Sequence, residues 1–377
     1  MRGASTPLRV CYIASIEELV SKRYRVDHMI ERLRLAGARA SAIYEIDALA
    51  HADEALASDL LIVQRVPASA ELRALLALAR ARRIALAFDA DDYVFEPAVE
   101  PSVAALRDAA PAKVAEWRHI VAGCRESLLL CDAFIGSTAF LARQAEDLGR
   151  PAFVLPNGVS QRQVDLAERA IARREASRQH QSAANGKPLV RIGYLAGTAT
   201  HQRDFTLVVH ALARILREQP EVRVELRGLV PLAPELAPFA ARVARRPFVS
   251  WERLVAATAR LDLCLAPLEL DNPFTEGKSA LKYVESGLVA VPVIASATDE
   301  YRAAIQPGTT GLLATTSDDW YAGLRQLTGD AVMRRALGAA ARQDVLARYT
   351  PRAQAARTLA VCEEIVRRVA GSSPALG

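Results

Sequence analysis

The most constraining feature of the sequence is an alternation of short apolar runs with amphipathic segments along nearly the whole chain. The first series of apolar runs comprises LRVCYIA, ASAIYEI, DLLIVQR, RIALAFD, DAFIGS and AFVLP. Helical patterns such as RVDHMIERLRLAG separate most of these runs. Strand–helix–strand alternation is typical of a parallel sheet covered on both faces, so we predict an α/β protein with doubly wound sheets. Such sheets bind ligands beyond the carboxyl ends of their strands.

A polar segment interrupts this alternation and divides the chain of 377 residues into two halves. The residues from Gln161 to Lys187 are rich in charged and small side chains, which is typical of a helix followed by a linker. A second series of apolar runs follows, with LVRIGYLA, VRVELRG, LDLCLAPL, AVPVIAS and TGLLAT. Because one hydrophobic core seldom spans this length, we predict two doubly wound domains with a cleft between them. The predicted ranges are 1–165 for the first domain, 166–187 for the linker and 188–350 for the second domain.

Charge and cysteine content limit the classes of ligand and the location. The formal net charge of +5 suits a small polyanionic ligand such as a nucleotide, or an anionic membrane surface. Nucleic acid fits less well, because no basic run contains interleaved aromatic residues. The five cysteines lack metal-binding spacing and lie mostly in apolar runs, which indicates buried thiols in a reducing cytoplasm. The start of the chain lacks the apolar core of a signal peptide, and no apolar stretch reaches ~18 residues, so we expect a cytoplasmic protein, free or at a membrane face.

Three charged residues in the segment NPFTEGKSALKYVESGLVAVPVIAS form the first candidate site. Lys278, Lys282 and Glu285 are four and three residues apart, so in a single helix they would share one narrow stripe. In this interpretation Thr275 caps the helix, and Lys278 lies in the first turn, where free backbone amides favour an anion. Glu285 would accept hydrogen bonds from sugar hydroxyls. A solvated face with one Lys–Glu ion pair explains the spacing equally well.

A second candidate site is the segment RIGYLAGTATHQRDFTLVVHAL, which has the pattern of a strand, a small-residue loop and a helix that begins near Asp204. Loop amides and the start of a helix can bind phosphate groups. The segment does not contain GxGxxG, so it lacks the dinucleotide-binding fingerprint. His201 in this loop is either a ligand-contacting residue or an exposed loop histidine.

Carboxylates follow one apolar strand of the first half. In RIALAFDADDYVFEP, Asp89, Asp91 and Asp92 lie at the carboxyl end of the strand, where α/β proteins bind ligands. Paired aspartates suit a divalent cation such as Mg²⁺. Asp89 also fits the first position of the Asp-x-Asp nucleophile motif of haloacid-dehalogenase phosphatases, although no GDxxxD motif follows. Structural capping of the strand end is a further alternative.

The segment GKSALKYVESGLVAVPVIAS resembles the donor-site motif of bacterial glycosyltransferases with the GT-B fold, from the large retaining group related to family 4. The resemblance implies that Glu285 holds the ribose hydroxyls of a nucleotide-sugar. The first glutamate of the family's pair falls at Gly277 in this chain. A subgroup with the pattern N-x-F…K-S-x-x-K-x-x-E is closer, and it implies the donor-binding residues Asn272, Phe274, Lys278, Ser279, Lys282 and Glu285.

The loop before the second-half helix resembles the same subgroup through the pattern GTxTHxxDF. Arg203 matches the position of a family lysine that clamps the diphosphate, and Gly197 matches that of a family arginine. The resemblance implies that further donor-binding residues are Gly197, Thr198, Arg203, Asp204, Arg227 and Phe248.

The first half resembles the subgroup in three places. The pattern DxDDxxF implies that Asp91 and Asp92 orient the acceptor, and these two residues and His201 are the expected catalytic residues. The turn RYR implies a cleft-facing contact with the acceptor through Arg23, Tyr24 and Arg25, whereas a basic surface turn is the alternative. VLPNGVS resembles the segment that closes the first domain, in which Asn157 is interpreted as a turn residue.

The resemblance covers most of the chain and implies two Rossmann-like domains of the GT-B fold. A last helix, 351–370, would return to the first domain. The implied activity is retaining transfer of a hexosyl or deoxyhexosyl group from a nucleotide-diphosphate-sugar to a glycan or lipid-linked acceptor, in bacterial surface polysaccharide or glycoconjugate synthesis. The nucleotide-sugar is a co-substrate, no tightly bound cofactor is expected, and Asp91 and Asp92 leave a divalent metal open. Partners would include an anionic inner membrane surface but no nucleic acid. A non-catalytic nucleotide-sugar-binding protein, a phosphatase acting through Asp89 and a sugar-nucleotide epimerase are the alternatives.

Overall fold

The computed structural model describes residues 6–16, 19–181, 189–196 and 202–371. Within these ranges the chain forms two separate six-stranded sheets in which all strands are parallel. Successive residues of one strand enter different buried clusters: Val10 and Tyr12 belong to one cluster, and Cys11 and Ile13 to another. Because side chains alternate between the faces of a strand, both faces of the sheet are covered. The predicted α/β architecture is confirmed.

The first unit is built on the first sheet. Its strands are β1 (Arg9–Ala14), β2 (Arg39–Tyr44), β3 (Leu60–Gln64), β4 (Ala85–Ala90), β5 (Ala133–Gly136) and β6 (Ala152–Val154). Their spatial order is β2-β1-β3-β4-β5-β6. Its helices are α1 (Leu19–Lys22), α2 (His28–Leu35), α3 (Ala52–Leu56), α4 (Ala70–Ala81), α5 (Pro111–Leu130) and α6 (Ala139–Asp147). A π-helical turn (Arg23–Asp27) joins α1 to α2, and 3-10 turns cover Glu45–Asp47, Pro97–Ser102 and Ala104–Leu106.

The second unit is built on the second sheet. Its strands are β7 (Val190–Leu195), β8 (Val222–Arg227), β9 (Val243–Arg246), β10 (Leu263–Ala266), β11 (Val293–Ser296) and β12 (Leu312–Ala314). Their spatial order is β12-β11-β10-β7-β8-β9. The helices from this part of the chain onward are α7 (Gln161–Gln181), α8 (Gln202–Glu218), α9 (Trp251–Thr258), α10 (Pro273–Glu276), α11 (Leu281–Leu288), α12 (Asp299–Ala304), α13 (Ser317–Gly329), α14 (Ala331–Arg348) and α15 (Pro351–Gly371). A 3-10 segment covers Pro234–Arg242.

Two helices show how the units are connected. Cys362 and Ile365 of α15 lie in the buried cluster that contains Val10 of β1, so the last helix packs on the first unit. Val164 and Ala167 of α7 lie in a buried cluster of the second unit. Helix α7 therefore packs on the second unit from its first turns. It spans residue 165, the predicted end of the first domain, and the predicted domain ranges remain predictions.

The strand order in each sheet creates a crevice. In the first sheet the direction of winding reverses between β1 and β3, and in the second it reverses between β7 and β10. Ligands of doubly wound proteins bind outside the carboxyl ends of the strands at such reversals. Arg65, which follows β3, and Leu195, which ends β7, line one common cavity. The two crevices thus open into the same space between the units.

Cysteines and long helices provide two further observations. All five cysteines are buried free thiols, as the sequence predicts. Burial raises the pKa of Cys264 to about 12, so this thiol stays protonated at neutral pH. Of the helices described, none combines the length and the apolar character needed to cross a membrane.

Candidate functional site

A cavity of about 540 Å³ lies between the two units, a size typical of small-molecule sites. Eleven of the predicted site residues line it: Arg23, Tyr24, Asp91, Asp92, Arg227, Phe248, Phe274, Lys278, Ser279, Lys282 and Glu285. The predicted residues Gly197, Thr198 and His201 lie outside the described residues. Four others, Arg25, Arg203, Asp204 and Asn272, are described but do not line this cavity.

The segment from Asn272 to Leu288 forms two short helices rather than one. The Asn272 side chain accepts a hydrogen bond from the Phe274 amide at 2.9 Å and begins α10, whereas the Thr275 hydroxyl donates to the Glu269 carbonyl at 2.5 Å. Helix α11 begins only after Ala280. The predicted single helix capped by Thr275 is therefore wrong, because Asn272 caps one turn and the chain bends before α11. Lys278 lies in that bend and still reaches the cavity.

Lys278 connects the two walls of the cavity. Its Nζ lies 3.6 Å from Oδ1 of Asp92 on the first unit and 4.9 Å from the centre of the Phe274 ring. Its side chain is 15% exposed, so the ammonium is held close to a carboxylate and an aromatic face with limited access to water. Beside it, the Asn157 amide donates to the Ser279 hydroxyl at 3.2 Å across the same boundary.

Lys282 lies one turn further along and is partly buried. Its ammonium forms no hydrogen bond or ion pair with another described residue. Burial lowers the pKa of Lys282, and the negative charges of Asp204 and Glu285 counteract this effect only in part. A partly desolvated cation next to a cavity favours an anionic ligand.

Glu285 contacts the first unit directly. The hydroxyl of Tyr24 donates to Oε1 of Glu285, with the oxygens 2.5 Å apart, and Tyr24 is only 1% exposed. Burial, with Glu285 as a second cause, raises the pKa of Tyr24 well above its usual value, so the phenol stays protonated. The Arg23 guanidinium donates to the same hydroxyl and stacks over the rings of Tyr24 and Trp251, 4.4 and 5.6 Å from their centres.

Arg25 was expected to face the cleft with Arg23 and Tyr24, but it is fully buried. Its Nε and Nη2 donate to the two carboxylate oxygens of Asp89, each at 2.8 Å, and Nη1 donates to the Leu155 carbonyl at 2.5 Å. Burial alone would lower the pKa of Arg25, yet the Asp89 carboxylate outweighs it and raises this pKa. The π-helical turn explains the error, because it points both Tyr24 and Arg25 inward. Asp89 is equally buried, which rules it out as an accessible phosphatase nucleophile.

Asp91 and Asp92 remain at the cavity and share a partner that the sequence did not reveal. Arg65 Nη1 lies 3.3 Å from Asp91 Oδ1 and 3.1 Å from Asp92 Oδ2. Ser21 donates to Asp91 Oδ1 at 2.5 Å, and the Asn157 amide lies 3.4 Å from Asp91 Oδ2, so Asn157 is more than a turn residue. Arg65 directly follows β3, just as Asp91 and Asp92 follow β4. The end of a buried strand was the signal that indicated the aspartates, and it could have indicated Arg65 as well. In the part of the chain that is described, no three metal-ligating side chains lie close enough to hold an ion.

The other predicted donor residues hold the walls of the cavity. Asp204 is buried and accepts a hydrogen bond from the Glu269 amide at 3.2 Å, while Arg203 is exposed with its Nε 3.9 Å from Glu269. Asn272 donates to Glu269 at 2.8 Å and to the Ser102 carbonyl of the first unit at 2.9 Å. Arg227 donates to the Pro247 carbonyl at 3.1 Å, which fixes the segment that carries the exposed Phe248.

Gly277 packs closely against the first unit. A Cβ at this position would lie 3.2 Å from Cδ2 of Leu141 and 3.3 Å from Cβ of Tyr93, both on the first unit. The Thr138 hydroxyl also donates to the Gly277 carbonyl at 3.5 Å. The glutamate that the resemblance places here would therefore require Leu141 or Tyr93 to move by a few tenths of an ångström.

Comparison with known proteins identifies the architecture. A family model described as glycosyl transferase-like matches residues 203–360. Among solved structures, Anabaena HepE in complex with UDP and glucose is 13% identical with a TM-score of 0.61, and the match covers 97% of this chain and 100% of that one. A glycosyltransferase from Rickettsia africae is 11% identical with a TM-score of 0.62, over 96% of this chain and 100% of that one. The chain has the GT-B fold.

A third solved structure has a similar fold. Sucrose-phosphate synthase from Thermosynechococcus elongatus is 13% identical with a TM-score of 0.60, over 97% of this chain and 100% of that chain. No curated protein sequence matches the chain. At these identities the structural similarity defines the fold, and the predicted GT-B architecture is confirmed.

Proposed function

We propose that the protein is a glycosyltransferase that moves a sugar from a nucleotide-diphosphate-sugar, held by the second unit, to an acceptor held by the first. The observation that carries this proposal is the arrangement of Lys278, Lys282 and Glu285 in one cavity, opposite Asp91 and Asp92. Cations and a carboxylate on one wall match a diphosphate and a ribose, and carboxylates on the other wall match a hydroxyl nucleophile.

The donor half of the proposal depends on electrostatics. The ammonium of Lys282 lacks an ion-pair partner among the described residues, and Lys278 has a carboxylate only at 3.6 Å. Two such cations beside a cavity stabilise the charge that develops on a departing nucleoside diphosphate. Asp204, in the first turn of α8, acts on the pKa of Lys282, which indicates that the start of this helix is close. Structures of HepE with UDP and with UDP-glucose make a uridine nucleotide the first ligand to test.

The acceptor half depends on the first unit. Arg65, Ser21 and Asn157 orient Asp91, and the 30% exposed Asp92 lines the cavity beside it, so both carboxylates border the space proposed for an acceptor hydroxyl. We assign Arg23 and Tyr24 to the same side of the site, and Arg25 to the support beneath it. His201 belongs to the proposed catalytic group with Asp91 and Asp92.

The finer features of the reaction follow the family resemblance and are part of the proposal. They comprise membership of the retaining family 4-like group, transfer of a hexosyl or deoxyhexosyl group, and a glycan or lipid-linked acceptor. The proposed role is bacterial surface polysaccharide or glycoconjugate synthesis in the cytoplasm, with contact to the anionic membrane face favoured by the net charge of +5. The lysines are proposed as the cations that neutralise the diphosphate.

The proposal is tested by binding and transfer with the full chain. Calorimetry with UDP, GDP, ADP and CDP identifies the nucleotide, and labelled sugars on that nucleotide are then incubated with sugar and lipid-phosphate acceptors. We expect micromolar binding of one nucleotide and label in a product. Failure of all four nucleotides to bind would reject the proposal. Binding without transfer to any acceptor would instead identify a non-catalytic nucleotide-sugar-binding protein.

A further inference from the structure

Two of the polar contacts between the units involve charged residues assigned to the donor. Tyr24 donates to Oε1 of Glu285 at 2.5 Å, and Asp92 Oδ1 lies 3.6 Å from Nζ of Lys278. In each contact a first-unit residue meets a residue that the proposed function assigns to the nucleotide-sugar. In this structure, two groups proposed to bind the donor, on Glu285 and Lys278, therefore contact side chains of the first unit.

The chemistry of these partners matches that of the donor. The Tyr24 phenol is a hydroxyl donating to a carboxylate, as a ribose hydroxyl would. The Asp92 carboxylate presents anionic oxygens to an ammonium, as a phosphate would. A ribose diol that binds both oxygens of Glu285 has to share Oε1 with the Tyr24 hydroxyl or displace it. A phosphate in contact with Lys278 likewise displaces the weaker contact with Asp92.

We propose that Tyr24 and Asp92 are positioning residues that compete with the donor inside the free protein and are released when the donor binds. This inference rests on the proposed function, because it requires Glu285 and Lys278 to bind a nucleotide-sugar. Once released, the phenol and the carboxylate face the acceptor side of the cavity.

The burial of Tyr24 makes this competition strong. Tyr24 is 1% exposed and its ring packs edge-on against His28, 5.2 Å between centres, so water cannot readily replace its hydrogen bond. The raised pKa of Tyr24 keeps the phenol protonated and able to donate. In a Tyr24→Phe protein, Glu285 lacks this donor until a ribose supplies one. Nucleotide affinity should therefore increase about tenfold, the factor expected for one hydrogen bond to a charged group.

Asp92 acts at a different part of the donor. An Asp92→Asn substitution removes the counter-charge of Lys278 and keeps the shape of the side chain. A nucleoside diphosphate should bind several-fold more tightly, whereas the nucleoside alone should bind as it does to the wild type. Tyr24→Phe should instead strengthen binding of the nucleoside and of the diphosphate by the same factor.

The experiment compares calorimetric affinities of the wild type, Tyr24→Phe, Asp92→Asn and Tyr283→Phe. Tyr283 provides the matched control, because it lies on the same helix as Glu285 but does not line the cavity. Its hydroxyl also donates a hydrogen bond to a carboxylate, that of Asp344, at 2.8 Å. The probes are the nucleoside diphosphate that binds the wild type, the nucleoside of the same base and the 2′,3′-dideoxy diphosphate. We expect the gain of Tyr24→Phe to disappear with the dideoxy probe and Tyr283→Phe to bind like the wild type.

Hydrogen exchange on the wild type provides a second measurement that needs no variant. If the bound nucleotide releases Tyr24 from Glu285, hydrogen exchange in the turn Arg23–Asp27 should become faster when the nucleotide is added. A purely structural contact predicts no change or slower exchange. Equal or weaker nucleotide binding by Tyr24→Phe, or unchanged exchange in this turn, overturns the inference. Absence of nucleotide binding by the wild type overturns the proposed function instead.

Discussion

The ammonium of Lys278 lies 3.6 Å from the carboxylate of Asp92, and these two residues belong to different units of the fold. The contact lies in the cavity where the lysines of the second unit face the aspartates of the first unit. It shows that the two charged groups singled out in distant parts of the sequence line one cavity.

The first prediction concerns Lys278 and the distal phosphate. Lys278→Met should weaken binding of a nucleoside diphosphate by about 1.5–3 kcal/mol, because it removes a charge-assisted contact. The nucleoside monophosphate should lose much less affinity, as measured by calorimetry with both ligands. Lys113→Met is the matched control, since Lys113 lines the same cavity from the first unit. An equal loss for both nucleotides would show that Lys278 does not contact the distal phosphate.

The second prediction separates stability from binding at Lys282. Lys282→Met should increase resistance to urea, because it removes a cation whose pKa is lowered by burial. The same variant should bind the nucleoside diphosphate at least tenfold more weakly. Reduced stability with unchanged nucleotide affinity would identify Lys282 as a structural residue and remove it from the donor site.

The third prediction concerns the buried pair beneath the site. Asp89→Asn should lower the free energy of unfolding by about 3 kcal/mol, because the fully buried guanidinium of Arg25 loses its counter-ion. The exposed pair Arg73–Glu126 offers a control, and Glu126→Gln should change stability little. Urea denaturation measures both variants. If Asp89→Asn retained wild-type stability, the support role assigned to this pair would be incorrect.

The fourth prediction is a pH dependence from His28. Burial, with the charge of Arg32 as a second cause, lowers the pKa of His28 to about 3, while the unfolded chain keeps the usual 6.5. Between these values the unfolded state binds the extra proton. The stabilisation is therefore complete above pH 6.5 and is lost as the pH falls toward 3, with a slope of up to about 1.4 kcal/mol per pH unit.

His28→Gln isolates this contribution, because glutamine can still donate to the Gly158 carbonyl that His28 Nδ1 contacts at 3.0 Å. Urea denaturation of both proteins at several pH values gives the comparison. The stability advantage of the wild type should shrink as the pH falls from 6.5 to 3. A constant difference between the two proteins across this range would contradict the assignment.

The architecture could be predicted because it depends on local patterns. Alternation of apolar runs with amphipathic segments predicts parallel sheets, and the polar stretch after Gln161 predicts two units. Lys278, Lys282 and Glu285 line one cavity, but they do not share the single predicted helix, because Asn272 caps a separate turn and the chain bends before α11. A change from one helix to two depends on competing caps, which spacing alone does not decide.

The errors involve long-range contacts. Arg25 follows Tyr24 in sequence, but the π-helical turn directs it into the interior, where it binds the carboxylate of Asp89 on β4. Arg65 was missed because its role depends on Asp91 and Asp92, which follow a neighbouring strand. The close packing of Gly277 against Leu141 and Tyr93 of the other unit is a further contact that only the structure reveals.

The most direct test of the central claim, a nucleotide-sugar donor site in the second unit, is the nucleotide affinity of Glu285→Ala. Calorimetry with the nucleoside diphosphate that binds the wild type should show at least a tenfold loss, because the variant lacks the carboxylate that receives the ribose hydroxyls. Glu276→Ala, in the same segment but outside the cavity lining, should bind like the wild type. Equal affinities for the wild type and Glu285→Ala would contradict the account.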